Sequence, residues 1–298
     1  MTPSAPSRNK PWCQRNLFYR DFWLSVGANG ASRTKSGSGF QPLKMPSALR
    51  IQTLHSHRSV AASPVRRTTT AIVIKALLFD FDGLILDTEM PIYTAWRQVY
   101  EEFACSLTLA EYADCVGGTH AHFDPLAELG KRIGRTVSKE EIQPRVTRIY
   151  RDLIARNETL PGVRETLDAA RATGLRTAVA SNSNRDWVEE HLDRLGLLPA
   201  FEVIRTRDDV PLDRLKPAPD LYLTALDALG VAPNEAIAFE DSPHGILAAR
   251  RAGIFAVAVP NTITRELPLN EPDLHLASLD EMPLPELLEA VQRARIGP

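Results

Sequence analysis

The stretch Asp80-Phe81-Asp82-Gly83-Leu84-Ile85-Leu86-Asp87-Thr88-Glu89 decides the fold of this 298-residue chain. It follows Ala71 to Phe79, an apolar run broken only by Lys75, which reads as a parallel strand buried on both faces. Two carboxylates two positions apart arrive where that strand ends, and Gly83 lets the backbone turn away at once. In an open α/β sheet, ligands gather outside the carboxyl ends of the strands. Asp80 and Asp82 are therefore expected to converge on one small polar site. A bare Asp-x-Asp reads as a solvated turn. The strand before it and Gly-x-x-x-Asp-Thr-Glu after it favour chemistry.

From Pro91 to about Asn157 the sequence has no strand signal. Ile92, Ala95, Trp96, Val99 and Phe103 recur at helical spacing, and Ser138-Lys139-Glu140-Glu141 resembles a helix start with a capping box. Alternation begins after this block. Helices are expected from Pro161 to Gly174, Arg185 to Leu195, Pro217 to Gly230 and Pro243 to Ala252. Strands are expected at Arg176–Ala180, Phe201–Ile204, Ala236–Phe239 and Phe255–Val259. Pro268 to Pro285 reads as loop and short segments before a terminal helix. The pattern predicts a doubly wound, Rossmann-like parallel sheet with a small all-helical insert, or cap, after the first strand. The expected boundaries are 1–72 for an N-terminal extension, 73–88 and 159–298 for the α/β core, and 89–158 for the cap.

Polar groups follow successive strands: Asp80 and Asp82, then Ser181 and Asn182, then Glu240 and Asp241, with Lys216 at a helix start between the last two. Shared by one sheet, they would line one rim. Clustered carboxylates do not all stay ionised without a cation, and oxygen ligands with no His or Cys nearby suit Mg²⁺. Lys216 is one of only three lysines after residue 75, against twenty arginines, and a compact mobile charge suits a phosphate oxygen.

Asp80-x-Asp82-Gly83-x-x-x-Asp87-Thr88-Glu89, Ser181-Asn182-Ser183, Lys216-Pro217-x-Pro219 and Glu240-Asp241-Ser242-x-x-Gly245 resemble, in order, the four motifs of the haloacid dehalogenase superfamily. The likeness is to its beta-phosphoglucomutase-like phosphatase branch and covers about residues 73–298. It implies Asp80 as nucleophile forming an aspartyl-phosphate, and Asp82 as general acid and then base. It implies Ser181 and Lys216 on the phosphate, with Asn182 beside them. It implies Mg²⁺ on Asp80, Asp82 (through its carbonyl) and Asp241, with Glu240 as a direct or supporting ligand. Thr88, Glu89, Gly118 and His120 are candidate substrate contacts, with His122 weighed beside them; Thr88 and Glu89 have a helix N-cap role as the alternative. Trp96 and Trp187 read as packing, and His191 and His244 as helix-surface or interface residues. Where the mutase pattern has a His, this chain has Ile92; where its cap has an Arg, this chain has His120. Both departures favour a phosphatase of a sugar or polyol phosphate over a phosphohexose mutase. A phospho-accepting regulatory module is the alternative from another class.

The formal charge of -2 hides a split. Residues 1–75 hold twelve Lys or Arg and one acid, and the rest hold twenty-three against thirty-six, giving +11 and -13. A body that acidic does not suit nucleic acid. Three cysteines without pairing or metal spacing fit a reducing compartment. The expected partner is a small phosphorylated metabolite, with neither nucleic acid nor membrane, for a cytoplasmic monomer or weak dimer. Residues 1–72, rich in Ser, Arg and Pro, read as disordered. They are an organelle-targeting segment, a basic tail, or the product of a start assigned upstream of the true one, with Val73 or Met45 as the alternative start.

Overall fold

The computed structural model describes residues 73–113 and 123–296. The expectations for residues 1–72, and for Gly118, His120 and His122, lie outside the described residues. Six strands form one parallel sheet: β1 (Ala76–Phe79), β2 (Arg176–Ala180), β3 (Val203–Arg205), β4 (Ala236–Glu240), β5 (Phe255–Ala258) and β6 (Leu274–His275), in the order β3-β2-β1-β4-β5-β6. The order reverses at β1, which pairs Leu77 with Thr177 on one side and with Ile237 on the other. This is the doubly wound arrangement read from the alternation.

The two faces of the sheet differ in side-chain size, and period-two alternation is the cause. Leu77, Phe79, Val179, Ile237, Phe239 and Val257 point to one face, where Phe79 and Phe239 stack at 4.9 Å. Helices α5 (Val163–Thr173), α6 (Arg185–Arg194) and α9 (Leu284–Ile296) cover that face. Ala76, Leu78, Ala178, Ala180, Ala236, Ala238, Ala256 and Ala258 point to the other. Small side chains there let α7 (Asp220–Leu229) and α8 (Pro243–Arg251) lie close to the strands. Burying each Leu or Phe of either face stabilises the fold by about 1.5–3 kcal/mol.

Between β1 and β2 the described chain is helical: α1 (Glu89–Glu102), α2 (Leu109–Ala113), α3 (Pro125–Ile133) and α4 (Lys139–Ile154). Trp96, Val99 and Tyr100 of α1 and Ile142, Val146 and Tyr150 of α4 are buried in the apolar cluster that these helices share with the larger-residue face of the sheet. Tyr100 Oη donates to the Pro125 carbonyl at 2.6 Å, tying α1 to α3. The helix start at Ser138 forms as expected, with Ser138 Oγ accepting from the Glu141 N–H. Glu141 itself pairs with Arg135. The outgoing and returning segments of the insert are joined: Asn157 Nδ2 donates to the Asp87 carbonyl at 2.9 Å, and Leu160 N donates to the Ile85 carbonyl.

Two local expectations are corrected. β1 begins at Ala76, with Val73 to Lys75 outside the strand. β3 spans Val203–Arg205, two residues later than the apolar run suggested, because Phe201 instead turns into the core against Phe79. β6 is one of the short segments expected between Pro268 and Pro285, and its two residues are too few for an alternation signal. Among the described residues, no helix is long and apolar enough to cross a membrane.

Candidate active site

The polar ends of β1, β2 and β4 meet on one rim of the sheet. Asp80 N donates to the Phe239 carbonyl at 3.0 Å, so the ladder between β1 and β4 extends one residue past the strand. That bond sets the Asp80 carboxylate beside Glu240 and Asp241. Gly83 has φ +81°, and a Cβ there would sit 2.5 Å from both Asp241 Oδ2 and Asn261 Nδ2. The glycine is therefore needed both for the turn and for its close approach to the acid. The next three N–H groups, of Leu84, Ile85 and Leu86, all point to the Phe81 carbonyl.

Lys216 holds two of the acids together. Its Nζ donates to Asp80 Oδ1 and, at 2.6 Å, to Glu240 Oε1. Asn182 fixes the lysine backbone: its Oδ1 accepts from Lys216 N at 3.0 Å and its Nδ2 donates to the Lys216 carbonyl at 3.3 Å. The Asn182 side chain, expected at the phosphate, is thus committed to placing Lys216. Glu240 is fully buried and accepts from three donors, since Tyr222 Oη also donates to Oε1 at 2.6 Å and Ser242 Oγ to Oε2 at 3.4 Å. Gly245 is required beside it, because a Cβ at that position would overlap the Glu240 carboxylate. Asp241 Oδ2 accepts from Asn261 Nδ2 at 2.8 Å.

Asp82 sits in a different environment. Its Oδ2 accepts from Ser183 Oγ at 2.6 Å and Ser181 Oγ at 3.2 Å, and its Oδ1 from Trp187 Nε1 at 3.0 Å. Burial raises its pKa, and these neutral donors pull it back. Burial also drives Asp80 well above the usual carboxylate range; Lys216 opposes this, and repulsion from Glu240 and Asp82 adds to it. Asp241 is raised by burial and by Asp80 and Glu240. For Lys216, burial alone would lower the pKa, but Asp80 and Glu240 outweigh it and keep the ammonium charged. Oxygens of Asp80, Glu240 and Asp241 lie within 4.8 Å of one another, a set that a hard divalent cation fits. One lysine against this cluster leaves an excess of negative charge, and a bound cation would offset it.

Glu89, the first residue of α1, is raised to about 8, first by burial and then by Asp82, Asp87 and Asp80. Its Oε2 is buried without a hydrogen-bond partner among the described residues. A carboxyl whose folded pKa lies above its unfolded value near 4.5 binds its proton more tightly when folded. Its stability cost therefore grows as pH rises from about 4.5 to 8 and is complete above that. Glu89→Gln is expected to raise the melting temperature of the metal-free protein by about 3–6 °C at pH 8 and by less than about 2 °C at pH 5. Melting curves at the two pH values check this, and a gain independent of pH would contradict it. Thr88 occupies the N-cap position of α1 but makes no side-chain cap bond. Asp87 Oδ1 accepts from the Glu89 and Met90 N–H groups instead.

Two residues read as bland are not. His191, expected on a helix surface or at an interface, is buried between Phe81 and Trp187, and burial lowers its pKa to about 4. It lies on the same helical stripe as Trp187, Val188 and Leu192, a spacing visible in the sequence. Trp187 does pack, and it also reaches Asp82. Its place three residues after the N-cap Asn184 puts it on the first turn of α6, next to the rim. Tyr222 and Asn261 carry no motif signal, because only the tertiary fold brings them to the acids. His244 is half-buried on α8, its pKa lowered by burial.

Fold and rim define a doubly wound, Rossmann-like α/β class with acids gathered at the end of the first strand. A family model described as haloacid dehalogenase-like hydrolase matches residues 77–259. "Putative phosphatase YhcW" of Bacillus subtilis is 43% identical over 221 residues, covering 73% of this chain and 97% of that protein. "Phosphorylated carbohydrates phosphatase" of Thermotoga maritima is 31% identical over 183 residues, covering 61% of this chain and 82% of that protein. The crystal structure of CbbY from Rhodobacter sphaeroides in complex with phosphate superposes with a TM-score of 0.54 at 27% identity, covering 70% of this chain and 96% of that one. The chain belongs to the haloacid dehalogenase-like hydrolases and is an enzyme of that family. The resemblance drawn from the four ordered motifs is borne out.

Proposed function

We propose that the chain is a Mg²⁺-dependent phosphomonoester hydrolase for a small phosphorylated metabolite, a sugar or polyol phosphate, working through an aspartyl-phosphate. One observation carries the reading. Asp80 is paired with the Lys216 ammonium, while Asp82, two residues on, is held only by neutral donors. Two carboxyl groups in contrasting environments suit a nucleophile beside an acid and base. In this reading an Asp80 oxygen attacks phosphorus as the ester P–O bond breaks, and Asp82 gives its proton to the departing oxygen. Asp82 then takes a proton from water, whose oxygen attacks phosphorus and frees Asp80 and phosphate. Ser181, Lys216 and the backbone at Asn182 would hold phosphate oxygens.

Mg²⁺ would be held by Asp80, the Asp82 carbonyl and Asp241, and would neutralise phosphate charge when bound. Glu240 would support the site through Lys216 and Tyr222 at Oε1, or ligate directly through Oε2, which only the 3.4 Å bond from Ser242 engages. The core would comprise 73–88 and 159–298, and the cap 89–158, closing over the substrate to exclude water. Thr88 ends the first core segment and Glu89 begins the cap, and Glu89 is the better placed to meet a substrate hydroxyl, since Thr88 is fully buried. Ile92, where the mutase pattern has a His, lies in the apolar core, which supports hydrolysis over mutase chemistry. The name of the Thermotoga maritima relative, a phosphorylated carbohydrates phosphatase, favours a carbohydrate phosphate. The sequence supports a cytoplasmic monomer or weak dimer.

The test is a panel of phosphorylated metabolites assayed for phosphate release by the full chain, with Mg²⁺ and with EDTA. Metal-dependent release of many phosphates per chain from one or a few sugar or polyol phosphates is expected, with at least about a hundredfold loss in EDTA. A single phosphate retained per chain, with no turnover, would favour the regulatory module instead.

A further inference from the structure

Trp187 stands between the acid and base residue and the helical insert. Its indole Nε1 donates to Asp82 Oδ1 at 3.0 Å. One ring face stacks on Tyr150 of α4, with centroids 5.9 Å apart and planes at 21°. His191 packs edge-on at 4.0 Å. Only 3% of Trp187 is exposed, so the ring is fixed on several sides. Its backbone is fixed as well, since Trp187 N donates to the N-cap Asn184 Oδ1 at 2.8 Å.

The donors to Asp82 are not equivalent. Ser181 and Ser183 present hydroxyls, which rotate and both donate and accept. An indole N–H donates only, along a direction set by the ring plane. Asp82 is therefore held at Oδ1 by a donor of fixed direction and at Oδ2 by two hydroxyls, and Trp187 fixes the direction in which Oδ1 is held.

We propose that Trp187 is a positioning residue for the leaving-group proton transfer, with its indole N–H aiming Asp82 at the ester oxygen. The inference rests on the phosphatase reading, in which Asp82 supplies that proton. A packing role alone would place the same ring in the same cavity, and leaving-group chemistry separates the two. When the ester P–O bond breaks, an alkoxide needs a proton from Asp82, whereas p-nitrophenolate departs without one.

The probes are p-nitrobenzyl phosphate and p-nitrophenyl phosphate, which are similar in shape and differ in leaving-group basicity. The value of kcat/KM reports the steps up to departure of the leaving group. In the full-length Trp187→Phe variant, which keeps an aromatic ring and lacks the N–H, kcat/KM for the benzyl ester is expected to fall at least about tenfold more than for the phenyl ester. A second variant carrying 3-benzothienylalanine at position 187 keeps the bicyclic shape, removes only the N–H, and should show the same selective loss. It covers the case in which the phenylalanine variant does not fold. Equal losses on both esters, or no loss, in a variant with an unchanged melting temperature would overturn the inference and leave the phosphatase reading standing. Failure of the unaltered protein to release phosphate from these esters and from the metabolite panel alike would overturn both.

Discussion

Asp80→Asn is expected to abolish turnover, by at least about ten-thousandfold in kcat, without unfolding the protein. The amide is nearly the same size as the carboxylate, so the rim keeps its packing. It offers no nucleophilic anion to phosphorus and one charge fewer to a cation. The effect on stability runs the other way. Burial, Glu240 and Asp82 all act against a charge on Asp80, and only Lys216 favours it. Lys216 retains Glu240 in the variant. Because the folded pKa of Asp80 is raised, its proton is held more tightly in the folded state, and stability is lost as pH rises above the unfolded value near 3.8. The variant should therefore melt no lower than the unaltered protein in EDTA, with any gain largest at alkaline pH. Phosphate release and melting curves on the same preparation check both halves. Residual turnover above about one part in a hundred would remove Asp80 from the nucleophile role.

What the sequence made legible was set by how locally each feature is determined. The strand before Asp80 could be read because both of its faces are buried, which makes nearly every position apolar. The rim acids could be read because each follows such a strand directly. β3 sits at the sheet edge with all three residues half-buried, so its pattern blurs and its bounds shift. The Asp82 environment was legible only in part. Ser181 and Ser183 stand in a motif, whereas the bond from Trp187 spans 105 residues and depends on how α6 packs against β1. His191 shows the converse. Its helical phase placed it inside, and its polarity argued for the surface. Helical phase prevails here because Phe81 and Trp187 enclose the ring. Tyr222 reaches Glu240 because the alanines on that face of the sheet let α7 come close, a consequence of side-chain size on separate strands rather than of any motif.

Asp82→Asn is expected to divide the reaction in two. Asparagine can neither give a proton to a departing oxygen nor take one from water. Esters with basic leaving groups should therefore lose both half-reactions, with steady-state rates down by about a hundredfold to ten-thousandfold. An activated ester such as p-nitrophenyl phosphate needs no proton to depart, so Asp80 should still be phosphorylated once. The expected record is a burst of about one nitrophenolate per chain followed by slow turnover, with a phosphoryl group on the peptide containing Asp80 by mass spectrometry. The surroundings of the side chain fix which way the amide points. Trp187 can only donate, so the asparagine oxygen must face the indole and its amino group must face Ser183 and Ser181. Those hydroxyls can rotate to accept, but their own protons then lose the carboxylate as acceptor, so a stability cost of about 1–3 kcal/mol is expected. A folded variant that gives no burst would contradict Asp80 as nucleophile. One that retains full steady-state rates on p-nitrobenzyl phosphate would remove Asp82 as the proton donor, and Trp187 would then have no proton transfer to aim.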